Sequence, residues 1–168
     1  DAGGWTAGFF PGILWKVAAA EGMDASSDWV LQALRWTEGM RLQQFDTQHH
    51  DVGLKVFGSF GQALELTAST AVAGRLAALG YTEVVLTAAH SLATRFNAAV
   101  GCTQSWSAGH HCKARPDVLT AFPVIIDNMM NLELLFWAAQ NSSNHTLHRI
   151  AESHANVTAW NHVRADGS

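Results

Sequence analysis

Asp127 stands alone among apolar side chains, in the run Phe-Pro-Val-Ile-Ile-Asp-Asn-Met-Met-Asn-Leu-Glu-Leu-Leu-Phe-Trp from Phe122 to Trp137. A carboxylate in such company loses water, which disfavours its charged form and raises its pKa. A proton donor working near neutral pH needs that setting. Asp before an apolar run also reads as a helix N-cap that satisfies orphan backbone N–H groups. The local sequence leaves both readings open. A second polar cluster, Gln48-His49-His50-Asp51-Val52-Gly53, interrupts two apolar-periodic segments. His49, His50 and Asp51, with His110 and His111, raise the question of a metal, but adjacent histidines do not give the one-face i, i+4 geometry of a helical metal site.

The chain has 168 residues, enough for one domain with a core of its own. Charged residues make up only 14%, against a typical ~25%. The net charge of −4 argues against a nucleic-acid footprint. No apolar run approaches the ~18 residues of a membrane span, and no basic segment followed by an apolar one marks a signal peptide. Neither Asp1-Ala2-Gly3-Gly4 nor Asp166-Gly167-Ser168 looks like a natural terminus, so a segment truncated at both ends is expected. Seven Trp against one Tyr is unusual. Trp offers a flat apolar face with one N–H donor, which suits cores and stacking sites alike, and those beside Gly or Pro loops are the better cleft candidates. Cys102 and Cys112 flank a loop, and spacing alone does not make them a disulfide. Sequons begin at Asn141, Asn144 and Asn156. Together these features lean towards a secreted protein, with a cytoplasmic one as the alternative.

The elements that must position these groups read as helices. Trp5 to Gly12 reads as a turn that presents aromatics. Helices are expected over 13–20, from a cap at Ser26, Ser27 or Asp28 through Thr37, and over 54–66, 71–79 and 81–100. Gly58 and Gly61 suggest close helix packing. An irregular stretch from Cys102 to Phe122 precedes a helix from Asp127 to about Ala139. Another follows over 146–156, capped by Ser143 or Asn144 and carrying Leu147, Ile150, Ala151 and His154 on one face. With no strand alternation and abundant Ala, the expectation is an all-α fold of helical hairpins with residues at loop–helix junctions available for function.

The motifs Trp-Thr-Ala-Gly-Phe-Phe-Pro-Gly-Ile-Leu-Trp (5–15), His-Asp-Val-Gly (50–53), Cys-Thr-Gln-Ser-Trp-Ser (102–107), Phe-Pro-Val-Ile-Ile-Asp-Asn-Met-Met-Asn-Leu-Glu-Leu-Leu (122–135) and Val-Arg-Ala-Asp-Gly-Ser (163–168) occur in this order. Together they resemble the unsaturated glucuronyl hydrolases, glycoside hydrolase family 88. The resemblance implies an (α/α)6 barrel with a central cleft, of which this chain is about the first half without the N-terminal helix. The family's later His, His-Gln-Gly and Trp-x-Arg-Gly-Gln-Ala-Trp segments are not in this sequence, so the chain alone is expected to be a weak or inactive enzyme. Leu54 stands where the family usually has Phe, and His49 where it usually has Thr.

The resemblance also implies a reaction. The substrate is an oligosaccharide ending in a C4=C5 unsaturated uronic acid, the product of a polysaccharide lyase. The enzyme protonates C4, water adds at C5, and the hemiketal collapses to release the next sugar. Asp127 matches the general acid/base and Asp51 the second essential carboxylate. Trp5 matches a cleft aromatic, against a core reading. His50 is expected to bind substrate or orient Asp51, against a solvent-facing reading. Asn128 and Trp106 are weaker substrate-binding candidates that could instead bond backbone and pack the loop, and Glu133 and Asp166 are left out. Neither metal nor organic cofactor is implied. The alternatives are an unsaturated rhamnogalacturonyl hydrolase of the sibling family and a non-catalytic, Trp-lined sugar-binding module.

Overall fold

The computed structural model describes residues 2–107 and 122–167. It is mostly helical. Helix α1 (Phe9–Ala20) and helix α2 (Asp28–Glu38) form a packed pair. A 3-10 helix (Arg41–Phe45) leads to the polar turn at 46–52. A π-helix (Gly53–Gly61) then runs into α3 (Gln62–Thr67). Helices α4 (Ala73–Ala78) and α5 (Tyr81–Ala93) follow. Strands β1 (Phe96–Asn97) and β2 (Cys102–Thr103) pair antiparallel, with Phe96 opposite Thr103. A second 3-10 helix (Ile126–Asn131) leads into α6 (Leu132–Ser142), which packs on α7 (His145–His162).

Several expected boundaries move, each for a local reason. The 5–12 stretch is not all turn, because α1 begins at Phe9 and takes Pro11 into its first turn. A proline is tolerated there because first-turn N–H groups have no intrahelical partner. Of the proposed caps for α2, Ser27 is the one used, its Oγ accepting from Val30 N at 3.3 Å. The helix expected over 81–100 stops at Ala93 and gives way to the β-hairpin, so the expectation of no strands is corrected. Asn97 organises the turn between the two strands: its Oδ1 accepts from the backbone N–H of Ala99 at 2.9 Å, a local bond in place of helical ones. Gly101, at φ +78°, then turns the chain into β2. Asn144 caps α7 by accepting from Thr146 N, and α7 runs past the expected 156 to His162.

The core gathers Trp15, Val30, Phe60, Leu76, Tyr81, Leu92, Leu134, Leu135 and Leu147, all buried. Each such aliphatic side chain contributes about 1.5–3 kcal/mol through removal from water. The Trp15 indole N–H donates to the Thr37 hydroxyl at 2.9 Å, so the α1–α2 contact satisfies its one buried polar donor. Close approach rather than side-chain interdigitation joins α1 to the π-helix. A Cβ on Gly8 would overlap the carbonyl oxygens of Lys55 and Leu54, and one on Gly12 would overlap that of Gly58. The close packing inferred from Gly58 is therefore met by Gly8, just before α1, and Gly12 on it. Pairing of Cys102 with Cys112 lies outside the described residues, as do His110 and His111.

Two glycines separate steric demand from helix propensity. Gly12→Ala is expected to cost about 1–3 kcal/mol by forcing apart two backbones. Gly74 in α4 has nothing within 4 Å of the place an added methyl would occupy, and Gly74→Ala is expected to gain up to about 1 kcal/mol. Urea unfolding checks both as shifts of midpoint in opposite directions.

Candidate functional site

The two polar segments singled out in the sequence meet in space. Trp5, His49, His50, Asp51, Trp106, Ile125 and Asp127 line one cleft of about 270 Å³. A larger hollow of about 370 Å³ between α1 and α2 is lined by Ala2, Ala7, Phe10, Pro11, Trp36, Gly39 and Met40, with no titratable side chain. The titratable side chains singled out in the sequence at 49–51 and 127 line the smaller one.

One residue, Ser105, holds the walls together. Its carbonyl accepts from His50 N at 2.8 Å, its N–H donates to the Pro123 carbonyl at 2.8 Å, and its Oγ accepts from Ile125 N at 3.0 Å. The segment carrying His50 and Asp51 is thus stitched to the segment carrying Asp127. Arg95 braces the same region from behind, donating to the carbonyls of Gln104 at 2.7 Å and Thr47 at 2.6 Å.

His50 is the centre of the constellation. Its Nε2 lies 3.3 Å from Asp51 Oδ1 and 3.9 Å from Asp127 Oδ1, while the ring itself is buried. Burial pushes the imidazole below its ordinary pKa, and the Asp51 and Asp127 carboxylates pull in the other direction. Asp51 and Asp127 remain partly open to the cleft, at 21% and 35% side-chain exposure, so both are accessible from it. The Oδ1 of Asp127 is buried and has no hydrogen-bond partner. Asp127 is not an N-cap: it sits in the first turn of the second 3-10 helix, whose cap position is Ile125.

Aromatic rings frame this group. Trp5 is 55% exposed at the cleft and stands edge-on to Phe9, with centroids 6.5 Å apart, so the core reading of Trp5 is corrected. Trp106 packs edge-on to His50 at 6.1 Å and its backbone bridges to His49. His49 lines the cleft too, its Nδ1 3.4 Å from Asp46 Oδ2. Asn128 does not face the cleft. It is fully buried, its Nδ2 donating to the Thr103 carbonyl at 2.8 Å and its Oδ1 accepting from Asn131 at 3.1 Å, which corrects its assignment to substrate. Glu133 lies in a different depression, beside Glu65. Among the described residues no group of three or more His, Cys, Asp and Glu could hold a metal ion.

Sequence reasoning passed over the layer beneath the cleft. Asn131 is fully buried and touches both His50 and Leu54. His154, expected only as part of a helix face, reaches from α7 to β2, where its Nδ1 accepts from Thr103 N at 3.0 Å. Burial lowers the His154 pKa to about 4. The one signal for this layer was the density of small polar residues inside an apolar run at 128–131.

No protein-family profile matches the chain. Over 98% of its length it is 39% identical to an unsaturated glucuronyl hydrolase of Formosa agariphila, of which it spans 36%. It is 30% identical to an unsaturated glucuronyl hydrolase of a Bacillus species, spanning 98% of the chain and 40% of that enzyme. The crystal structure of an unsaturated glucuronyl hydrolase specific for heparin matches with a TM-score of 0.78 at 34% identity, over 98% of this chain and 38% of that one. The helices described above are thus part of an (α/α)6 barrel, and the chain spans well under half the length of these relatives.

His154 gives the fold a pH dependence whose sign follows from its burial. The neutral ring is held in the folded state, while the unfolded chain takes up a proton near 6.5, so folding is weakened as pH falls from about 6.5 towards 4. The loss approaches about 3 kcal/mol and levels off below the folded pKa. Unfolding free energy measured across this window is expected to show that slope, and His154→Asn to flatten it.

Proposed function

We propose that this chain, a partial-length relative of the unsaturated glucuronyl hydrolases, carries the proton-transfer half of a glycoside hydrolase acting on unsaturated uronyl oligosaccharides. One observation supports this most: the adjacent His50 and Asp51 and the sequence-distant Asp127 converge in a single Trp-walled cleft. The sugar to be cleaved is an enol ether, so its C4 is nucleophilic and takes a proton from an acid placed over the ring.

Asp127 delivers that proton. Its position at the rim, with one oxygen buried and one side open, suits a group that must first hand a proton to carbon and then remove one from water. Protonation at C4 leaves positive charge at C5, shared with the ring oxygen. Water adds there and gives up a proton to Asp127, which regenerates the acid. The resulting hemiketal at C5 opens, and the bond to the next sugar breaks as that sugar leaves with its hydroxyl proton. Anomeric substitution does not occur, so the carboxylate-spacing rule for retaining and inverting glycosidases has no bearing.

Asp51 accepts hydrogen bonds from the sugar hydroxyls, and His50 Nε2 stands between it and Asp127, at 3.3 and 3.9 Å. Trp5 offers its exposed face to a sugar ring, a contact in which flat apolar area and a low entropic cost favour Trp.

The test is loss of the enol-ether absorbance on adding unsaturated disaccharides from several lyases to the polypeptide that carries this chain. Turnover is expected, and Asp127→Asn is expected to lower it by roughly 10²–10⁴-fold, the range for removing a general acid. Binding without absorbance loss would instead establish a sugar-binding module, and a preference for rhamnogalacturonan products would establish the sibling activity.

A further inference from the structure

The side-chain amide of Asn131 has no freedom of orientation. The backbone N–H of Leu54 can only donate, and it lies 2.9 Å from Asn131 Oδ1. The oxygen therefore faces the π-helix and the NH2 group faces the other way. There it meets Nδ1 of His50 at 3.2 Å and Oδ1 of Asn128 at 3.1 Å. Asn128 is oriented by a separate anchor, because its Nδ2 donates at 2.8 Å to the Thr103 carbonyl, which can only accept. Two unambiguous backbone groups thus fix both amides, and the two assignments agree.

An amide NH2 has hydrogens to give and no lone pair to offer. Asn128 also hydrogen-bonds His50, but the Asn131 NH2 set against Nδ1 at 3.2 Å points to Nδ1 as the accepting nitrogen and to Nε2 as the place of the single ring hydrogen. We infer that Asn131 is a positioning residue that holds His50 as the neutral Nε2–H tautomer, so that His50 is a fixed donor directed at Asp51, with Asp127 beside it, and not a carrier of the transferred proton. The catalytic meaning of this inference rests on the reaction proposed above.

The geometry on the far side of the ring agrees. Nε2 faces Asp51 Oδ1 at 3.3 Å and Asp127 Oδ1 at 3.9 Å, and the latter oxygen is otherwise unpartnered and buried. A lone pair on Nε2 would set three acceptors against one another, and a hydrogen there relieves the contact with Asp51 and faces the Asp127 oxygen with a donor. Because Nδ1 is already occupied by the amide, the ring cannot pass a proton through itself. Gly53 makes the device possible, since a Cβ at that position would overlap the Asn131 side chain.

The test reads the His50 ring nitrogens by NMR in the native polypeptide labelled at histidine, with His50→Gln identifying the signals. The expected wild-type result is one tautomer, unprotonated at Nδ1 and protonated at Nε2. A ring protonated at Nδ1, protonated at both nitrogens, or averaging between tautomers would overturn the inference. In Asn131→Ala the His50 signals are expected to average between tautomers, while kcat on an unsaturated disaccharide falls roughly 10- to 100-fold with KM little changed, as for small misplacement of a reacting group. A His50 that stays locked in Asn131→Ala would overturn the role given to Asn131. Should that variant fail to fold, the wild-type spectrum still decides the tautomer. The tautomer is read without substrate, so an inactive wild type would sink the proposed reaction and leave this assignment to stand or fall on the spectrum.

Discussion

The hydrogen bond from Leu54 N to Asn131 Oδ1 spans 77 residues of sequence and joins the two segments that carry the acidic side chains. It is buried and neutral, the kind of bond whose net contribution is about 1 kcal/mol when made and whose loss leaves an orphaned buried donor costing about 1–3 kcal/mol. Its value here lies in placement. The start of the π-helix presents Leu54 N towards Asn131, and the absent side chain of Gly53 allows the approach. The orientation of the Asn131 amide then follows, and with it the donor presented to His50 Nδ1 and Asn128 Oδ1.

The helices around this contact supply rigidity. α1 meets the π-helix backbone to backbone at Gly8 and Gly12, a contact with no flexible side chain to adjust. α5 and α6 pack on the other sides of the π-helix and bury Phe60, Leu92, Leu134 and Leu135. A widened helical turn has poorer hydrogen bonding than an α-helix and recurs at functional sites, where surrounding packing sustains it. Here the packing surrounds it on several sides, and the cleft opens at its N-terminal end.

Much of this was readable in the sequence, and the rest was not for physical reasons. The 3.6-residue period placed the helices, and the ordered motifs pointed to Asp127, Asp51, His50, Trp5 and Trp106, all of which the fold brings to one cleft. Period alone does not separate a π-helix from an α-helix over nine residues, so the widening at Gly53–Gly61 was invisible. The β-hairpin was missed because its strands are two residues long, too short to alternate. The roles of Asn131, Ser105 and His154 depend largely on partners distant in sequence, up to 81 residues away, and no local pattern carries that information. Asn128 was misplaced for the same reason: its neighbour in sequence faces the cleft, while it faces Thr103.

That alternation between Asp127 and Asn128 comes from the 3-10 geometry of Ile126–Asn131. With about three residues per turn, positions three apart lie one above the other, so Asn128 stacks on Asn131 inside while Asp127 emerges at the rim. Chain length is therefore under a tighter constraint here than side-chain identity. One residue added or removed between Asp127 and Asn131 would turn the acid about a third of a revolution relative to its supporting amides, leaving the core intact and the cleft without its carboxyl group. Among natural variants of this segment, exchanges of Met129 and Met130 for other apolar residues are compatible with the architecture, whereas changes of length are not.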